Sequence, residues 1–117
     1  DLARSTGRIF DYDGLGGRYE ETDFASTGSG SVHAKATIKA GFRPELSTEA
    51  AVDLAVASLY DAADEDSATG GPDPLRGIYP IVAVVDRAGY RAIPEEEVAA
   101  RFAAVVEVRR AQREVSR

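Results

Sequence analysis

Hydrophobic and polar positions in the first part of the chain predict a β-hairpin followed by a helix. Residues 7–13 place three apolar side chains among polar ones, and residues 18–26 form a second extended run after a glycine-rich turn. A tight glycine-rich loop follows at residues 27–31. Ser31 is then expected to cap a short helix that continues to about Ala40.

A longer helix is predicted next. Ser47 can accept hydrogen bonds from the free amides of a first helical turn, and Glu49 lies near the positive end of the helix dipole. Apolar residues then recur at helical spacing, namely Val52, Ala55, Val56, Leu59 and Ala63. Residues 69–77 end this helix with three glycines and two prolines. The nearly continuous apolar run at residues 78–85 predicts a strand that is buried on both faces.

The last third of the chain predicts a second hairpin and a terminal helix. Residues 86–89 supply a turn, residues 90–93 return as a strand, and Pro94 begins a helix with three glutamates in its first turn. This helix carries an apolar stripe of Val98, Phe102, Val105 and Val106, and its carbonyl end carries Arg109, Arg110 and Arg113. The predicted order of strand, strand, helix, helix, strand, strand and helix is that of a layered α+β protein.

The composition excludes several function classes. A chain of 117 residues suffices for one domain, and 44% hydrophobic and 29% charged residues are values typical of globular proteins. The formal net charge of −6 disfavours nucleic acid as a partner, and no apolar run reaches the roughly 20 residues that cross a membrane. The absence of cysteine excludes disulfides and favours a cytoplasmic location. Because methionine is also absent, we expect the chain to be processed or part of a longer protein.

Acidic residues crowd the carboxyl end of the central helix, where the helix dipole disfavours negative charge. We interpret Asp61, Asp64 and Glu65 as a solvated acidic face. Asp66 differs, because hydroxyl-bearing residues and two glycines follow it within residues 67–71. A carboxylate here can orient hydroxyls that position a nucleophile or an amine, but the same residues also fit a simple helix C-cap.

The glycine loop and the histidine are weaker indications of function. Residues 28–31 (GSGS) match neither a dinucleotide fingerprint nor a P-loop, so phosphate binding is not expected. His33 is the only histidine of the chain, which excludes a multi-histidine metal site and favours a structural or surface role. No cofactor and no metal are therefore predicted.

Two spaced motifs carry a resemblance to a known family. Residues 27–31 read TGSGS, residues 59–71 read LYDAADEDSATGG, and a strand, a Gly-Tyr turn and a terminal helix follow. Over residues 7–110 the chain resembles the proteasome β-type subunits, most closely the actinobacterial form. The resemblance implies a four-layer αββα sandwich of the N-terminal-nucleophile hydrolase class, with residues 1–117 as the C-terminal half of a single domain. The expected parts are a hairpin and glycine loop (6–30), helices (31–68), a loop and strands (69–93) and the terminal helix (94–117).

The resemblance implies peptide-bond hydrolysis by the complete subunit, with a catalytic threonine that is released from a propeptide and lies upstream of this chain. Ser29 matches the serine whose hydroxyl contacts the amino group of that threonine, and Asp66 matches the aspartate that anchors the supporting hydroxyls. Thr69 stands where many family members have serine, and Ala68 would offer its carbonyl to the same amine. The implied partners are other β-type subunits in a ring, α-type subunits, an ATPase activator and unfolded protein substrates.

Two other functions stay open at this point. A non-catalytic structural subunit of the same particle would share the fold if its first residue were not threonine. An unrelated small-molecule-binding domain would use the loop at residues 28–31. Cleavage preference is not predicted, because the side chains of the family's main specificity pocket lie mostly upstream.

Overall fold

A computed structural model describes residues 6–65 and 79–115 of the chain. Within those ranges, helices and strands follow the predicted order. The elements are β1 (Ile9–Tyr12), β2 (Arg18–Glu21), α1 (Ser31–Gly41), α2 (Thr48–Glu65), β3 (Ala83–Asp86), β4 (Gly89–Ala92) and α3 (Glu95–Val115). The described part is therefore an α+β structure, as the sequence predicts.

β1 and β2 form an antiparallel hairpin in which Ile9 is opposite Glu21 and Tyr12 is opposite Arg18. The Asp13 carboxylate holds the turn, because its Oδ1 accepts hydrogen bonds from two backbone amides, those of Leu15 at 2.9 Å and Gly17 at 2.7 Å. The second strand ends at Glu21, earlier than the extended run 18–26 predicts.

β3 and β4 form the second antiparallel hairpin, with Val85 opposite Tyr90. The prediction of a long strand buried on both faces is wrong for the described residues of the run 78–85. β3 begins only at Ala83, and Ile81 and Val85 are 93% and 76% exposed. The hairpin has two strands, and its inward-facing Val84 packs against the core. On the other face, Ala83 and Val85 line a cleft together with residues at the first hairpin, Ile9 and Thr22 among them.

α1 begins one residue earlier than a Ser31 cap requires. Gly30 occupies the N-cap position, and no side chain caps the helix, so the prediction that Ser31 is the cap is wrong. Glycine suits this position because its backbone is unrestricted, and Ser31 becomes the first helical residue. At the other end, the Phe42 amide donates to the Ile38 carbonyl at 2.7 Å, one turn back along the chain.

α2 and α3 form the core of the described structure. The predicted cap of α2 is confirmed, because the Ser47 hydroxyl accepts a hydrogen bond from the Ala50 amide at 3.1 Å. Val52, Val56, Val98 and Phe102 are buried. The aromatic rings of Tyr60 and Tyr79 meet the Phe102 ring edge to face, with centroids 5.5 and 6.3 Å away. Burial of such side chains stabilises a fold by about 1.5–3 kcal/mol each.

Candidate functional site

The glycine-rich loop before α1 is a tight turn. Gly28 adopts a φ of +104°, a left-handed conformation that residues with a side chain rarely occupy. Its carbonyl accepts a hydrogen bond from the Ser31 amide at 3.1 Å, and the Ser26 hydroxyl donates to the Ser31 carbonyl at 3.3 Å. Gly30 is buried and Ser29 is exposed. The turn therefore presents Ser29 at the surface, beside the first turn of α1.

Helices α1 and α2 are antiparallel neighbours, and two contacts define their register. Near one end, a Cβ added to Gly41 would lie 2.6 Å from Leu54 Cδ1, so the absence of a side chain there lets the helices approach closely. Nearer the other end, the Thr37 hydroxyl donates to Asp61 Oδ2 at 2.7 Å. Residues nearer the amino end of α1 therefore lie beside residues nearer the carboxyl end of α2.

This register brings the start of α1 and the end of α2 to the same end of the helix pair. From Thr37 back to Ser31 the α1 axis covers ~9 Å, and from Asp61 on to Glu65 the α2 axis covers ~6 Å in the same direction. The chain therefore leaves α2 within a few ångströms of the level at which it enters α1, two residues after Ser29.

A polar contact joins all three helices near that end. The Arg109 guanidinium donates to the Asp61 carboxylate through two nitrogens, Nε to Oδ1 at 3.0 Å and Nη2 to Oδ2 at 2.8 Å. Thr37 adds its 2.7 Å hydrogen bond to Oδ2. The Asp61 and Arg109 side chains are 25% and 27% exposed. The interpretation of Asp61 as part of a solvated acidic face is therefore wrong, because its carboxylate is partly buried and paired.

The surroundings of Asp61 favour its charged form. Burial on its own raises the pKa of the Asp61 carboxyl, but the hydrogen bonds donated by Arg109 and Thr37 outweigh burial and leave the pKa below its ordinary value. The same hydrogen bond, which Arg109 donates to Asp61, raises the pKa of Arg109. Both groups are charged at neutral pH, so the contact is an ion pair with a hydroxyl donor added.

The neighbouring acids behave differently. Asp64 and Glu65 are exposed, as the solvated-face interpretation expects, and Asp64 lies 3.5 Å from an Arg113 nitrogen at the surface. Toward the amino end of α2, Arg101 of α3 pairs with Glu49 and with Asp53, the latter at 2.7 Å. α2 and α3 are thus joined by arginine–carboxylate pairs near both ends of α2, and the pair at Asp61 also reaches α1.

Comparison with known proteins assigns the family. The sequence profile of the family described as "Proteasome subunit" matches residues 2–73, more than half of the chain. The chain belongs to the proteasome subunit family. It is 54% identical over 116 residues to a protein named proteasome subunit beta from Acidimicrobium ferrooxidans. That alignment covers 97% of this chain and 42% of the relative, and it falls in the relative's C-terminal part.

Family membership agrees with the described fold. The mixture of hairpins and helices is consistent with part of the N-terminal-nucleophile hydrolase fold of proteasome subunits. Among the predicted site residues of this proteasome subunit chain, Ser29 lies in the described glycine loop, whereas Asp66, Ala68 and Thr69 lie outside the described residues.

His33 and the classes of metal and membrane site can also be placed against the described structure. His33 is half-buried on α1, and its carbonyl oxygen lies 3.4 Å from the hydroxyl oxygen of Thr37, whose proton goes to Asp61. Within residues 6–65 and 79–115, no group of three or more histidine, aspartate or glutamate side chains is placed to hold a metal ion. In the same part of the chain, no helix combines the length and hydrophobicity needed to cross a membrane.

The sequence analysis missed two residues of this region, Thr37 and Arg109. Arg109 was expected only to complement the dipole at the end of the last helix, yet α3 continues to Val115 and the guanidinium turns to Asp61 instead. A signal for this contact exists in the spacing, because Leu54, Ala57 and Asp61 recur at helical intervals on α2. The hydrophobic pattern alone cannot show that Asp61 contacts an arginine 48 positions further along the sequence.

Proposed function

We propose that this chain is the C-terminal part of a catalytic proteasome β-type subunit, a threonine peptidase whose nucleophile is the N-terminal threonine of the complete subunit. A propeptide covers this threonine until self-cleavage releases it, so the subunit is made as a zymogen. The observation that carries the proposal is the α1–α2 register. It brings the loop with Ser29 and the point where the chain continues toward Asp66 to the same end of one helix pair.

The chemistry divides between the two parts of the subunit. A threonine hydroxyl becomes an effective nucleophile when a base takes its proton, and an N-terminal amine can be that base if acceptors keep it oriented. We assign those acceptors to this chain, namely the Ser29 hydroxyl, the Ala68 carbonyl and the Thr69 hydroxyl, with Asp66 as the anchor of the hydroxyls. The oxyanion of the attacked peptide bond is stabilised by a backbone donor of the upstream part.

The working form is an assembly in the cytoplasm. Other β-type subunits form a ring with this one, α-type subunits form the adjoining rings, and an ATPase activator delivers unfolded proteins through them. Family membership supports this assembly, since the matching profile and the matched relative are both named for proteasome subunits. Nucleic acid and membrane have no part in the proposal, in keeping with the net charge of −6.

Hydrolysis of a fluorogenic peptide tests the proposal. The complete subunit, assembled with its α-type partners, should turn the peptide over, and the 117-residue chain alone should be inert. Replacing Ser29 by alanine should lower kcat by about tenfold or more, because an amine held in the wrong place is a poor base. Ser31→Ala, two residues away at the first position of α1, is the matched control and should keep full activity.

Three results would contradict the assignment. Turnover by the 117-residue chain alone would place a nucleophile within it. Equal activity of Ser29→Ala and the unchanged particle would remove Ser29 from the site. An N-terminal residue other than threonine on the mature subunit would instead establish the non-catalytic structural role.

A further inference from the structure

The contact between Thr37, Asp61 and Arg109 ties together the two helices on which the proposed site depends. Both carboxylate oxygens of Asp61 are occupied, Oδ1 by Arg109 Nε and Oδ2 by Arg109 Nη2 and the Thr37 hydroxyl. A fork of two parallel N–H donors fixes the plane of a carboxylate as well as its position. The end of α2 is therefore held against α1 and α3 at once.

We propose that Asp61 is a positioning residue for peptide hydrolysis, which fixes the carboxyl end of α2 relative to the start of α1 and thereby fixes the point at which the chain leaves α2 relative to the Ser29 loop. The inference rests on the proposed function, since it gives the contact a role in that reaction. Asp61 lies five residues before Asp66 in the sequence and is not among the proposed acceptors of the amine, so it acts through the end of α2, from which the chain continues toward Asp66.

The position of the contact favours this role over a general structural one. Thr37 lies about two turns after the start of α1, and Asp61 lies about one turn before the end of α2. A shift of α2 along α1 would break the Thr37 hydrogen bond at once and would move the end of α2 relative to the Ser29 loop. Misplacement of supporting groups by about 1 Å can lower a rate about a hundredfold.

The Arg101 clamp provides a control within the same molecule. Arg101 also joins α3 to carboxylates of α2, through Glu49 and Asp53. Asp53 is eight residues before Asp61, about 12 Å away along the helix axis, toward the opposite end. This clamp joins α2 to α3. Its loss should weaken the packing of the two helices and leave the register of α1 and α2 unchanged.

The experiment compares variants of the complete subunit in assembled particles, with kcat and KM measured on one fluorogenic peptide. Asp61→Asn should lower kcat by about tenfold or more and leave KM within about twofold. Thr37→Val should also lower kcat, and Thr37→Ser should restore it because serine keeps the donor. Arg101→Gln should lower the melting temperature while leaving kcat unchanged.

Each outcome decides the inference. If Asp61→Asn prevents assembly, the comparison of Thr37→Val with Thr37→Ser gives the answer with a smaller perturbation. Equal kcat in both Thr37 variants, or a loss in Arg101→Gln as large as that in the Asp61 and Thr37 variants, would overturn it. A particle that is active, loses activity with Ser29→Ala and keeps it with Thr37→Val refutes the inference alone. An assembled particle without activity refutes the proposed function instead.

Discussion

Asp61 shows how the meaning of one residue changes between sequence and structure. An aspartate near the carboxyl end of a helix interacts unfavourably with the helix dipole, which destabilises the helix by some tenths of a kcal/mol. Arg109 reverses that balance with two charge-assisted hydrogen bonds, and hydrogen bonds to charged groups contribute about 1.5–3 kcal/mol. The residue that looks misplaced on its own helix is thus placed for a contact with another one.

The pH dependence of stability should report this contact. The pKa of Asp61 is lower in the folded protein than the value of about 3.9 expected for an unfolded chain. The contribution of its charge is therefore complete above that unfolded value and is lost as the pH falls through the folded pKa. In chemical denaturation near pH 7, Asp61→Asn should be less stable by about 2 kcal/mol, and the difference should shrink as the pH falls below the unfolded value of about 3.9.

Asp64→Asn is the control for that measurement, because Asp64 is exposed and its distance to Arg113 is 3.5 Å. An exposed pair of this kind contributes less than about 1 kcal/mol, so its substitution should change stability little at any pH. A difference between wild type and Asp61→Asn that stays constant from neutral to acid pH would show that the charge of Asp61 is not what stabilises the fold.

At the scale of elements, the turn of the first hairpin depends on one carboxylate and one backbone conformation. Asp13 has a lowered pKa because the backbone of Gly17, the Tyr19 hydroxyl and the backbone of Leu15 all donate hydrogen bonds to it. Gly16 adopts a φ of +88°, in the left-handed region that residues with a Cβ avoid. The turn therefore needs a glycine at this position because of the left-handed backbone conformation. A side chain would meet no steric obstacle there.

Substitution in this turn separates conformation from crowding. No atom lies within 4 Å of a Cβ added to Gly16 or to Gly14, and only Gly16 has a positive φ. Gly16→Ala should lower the free energy of unfolding by about 1 kcal/mol, whereas Gly14→Ala should be neutral within about 0.5 kcal/mol. Chemical denaturation of the two variants measures this, and equal losses would mean that the hairpin does not hold Gly16 in its left-handed conformation.

Local signals allowed much of the fold to be predicted from the sequence. The Ser47 cap and the acidic first turn after Pro94 depend on neighbours within a few residues, and the structure has both helices where these signals place them. The strand at residues 78–85 could not be judged in this way, since burial depends on which distant elements cover a face. The contact of Asp61 with Arg109 is equally non-local, because it joins residues that are 48 positions apart.

At the scale of the whole molecule, the exposed face of the second hairpin shows where more protein is expected. Val85 and Tyr90 are opposite each other on β3 and β4, and both are exposed on the face that turns away from the core. The chain covers 42% of the length of the proteasome subunit beta that it matches. A face with paired apolar side chains is typical of a surface that other structure covers, and the apolar run at residues 78–85 points to the same conclusion.

Substitution of Val85 tests whether the upstream part of a complete subunit covers this face. Val85→Asp should destabilise the complete subunit by about 3 kcal/mol or more, because a carboxylate without a partner would be buried between layers. Val115→Asp is the matched control: Val115 is 87% exposed, against 76% for Val85, and it is the last residue of α3. Thermal unfolding of both variants measures the difference, and equal melting temperatures would show that the outer face of the hairpin stays open to solvent. Since the apolar character of residues 78–85 is costly on an open face, we expect Val85→Asp to be the damaging change.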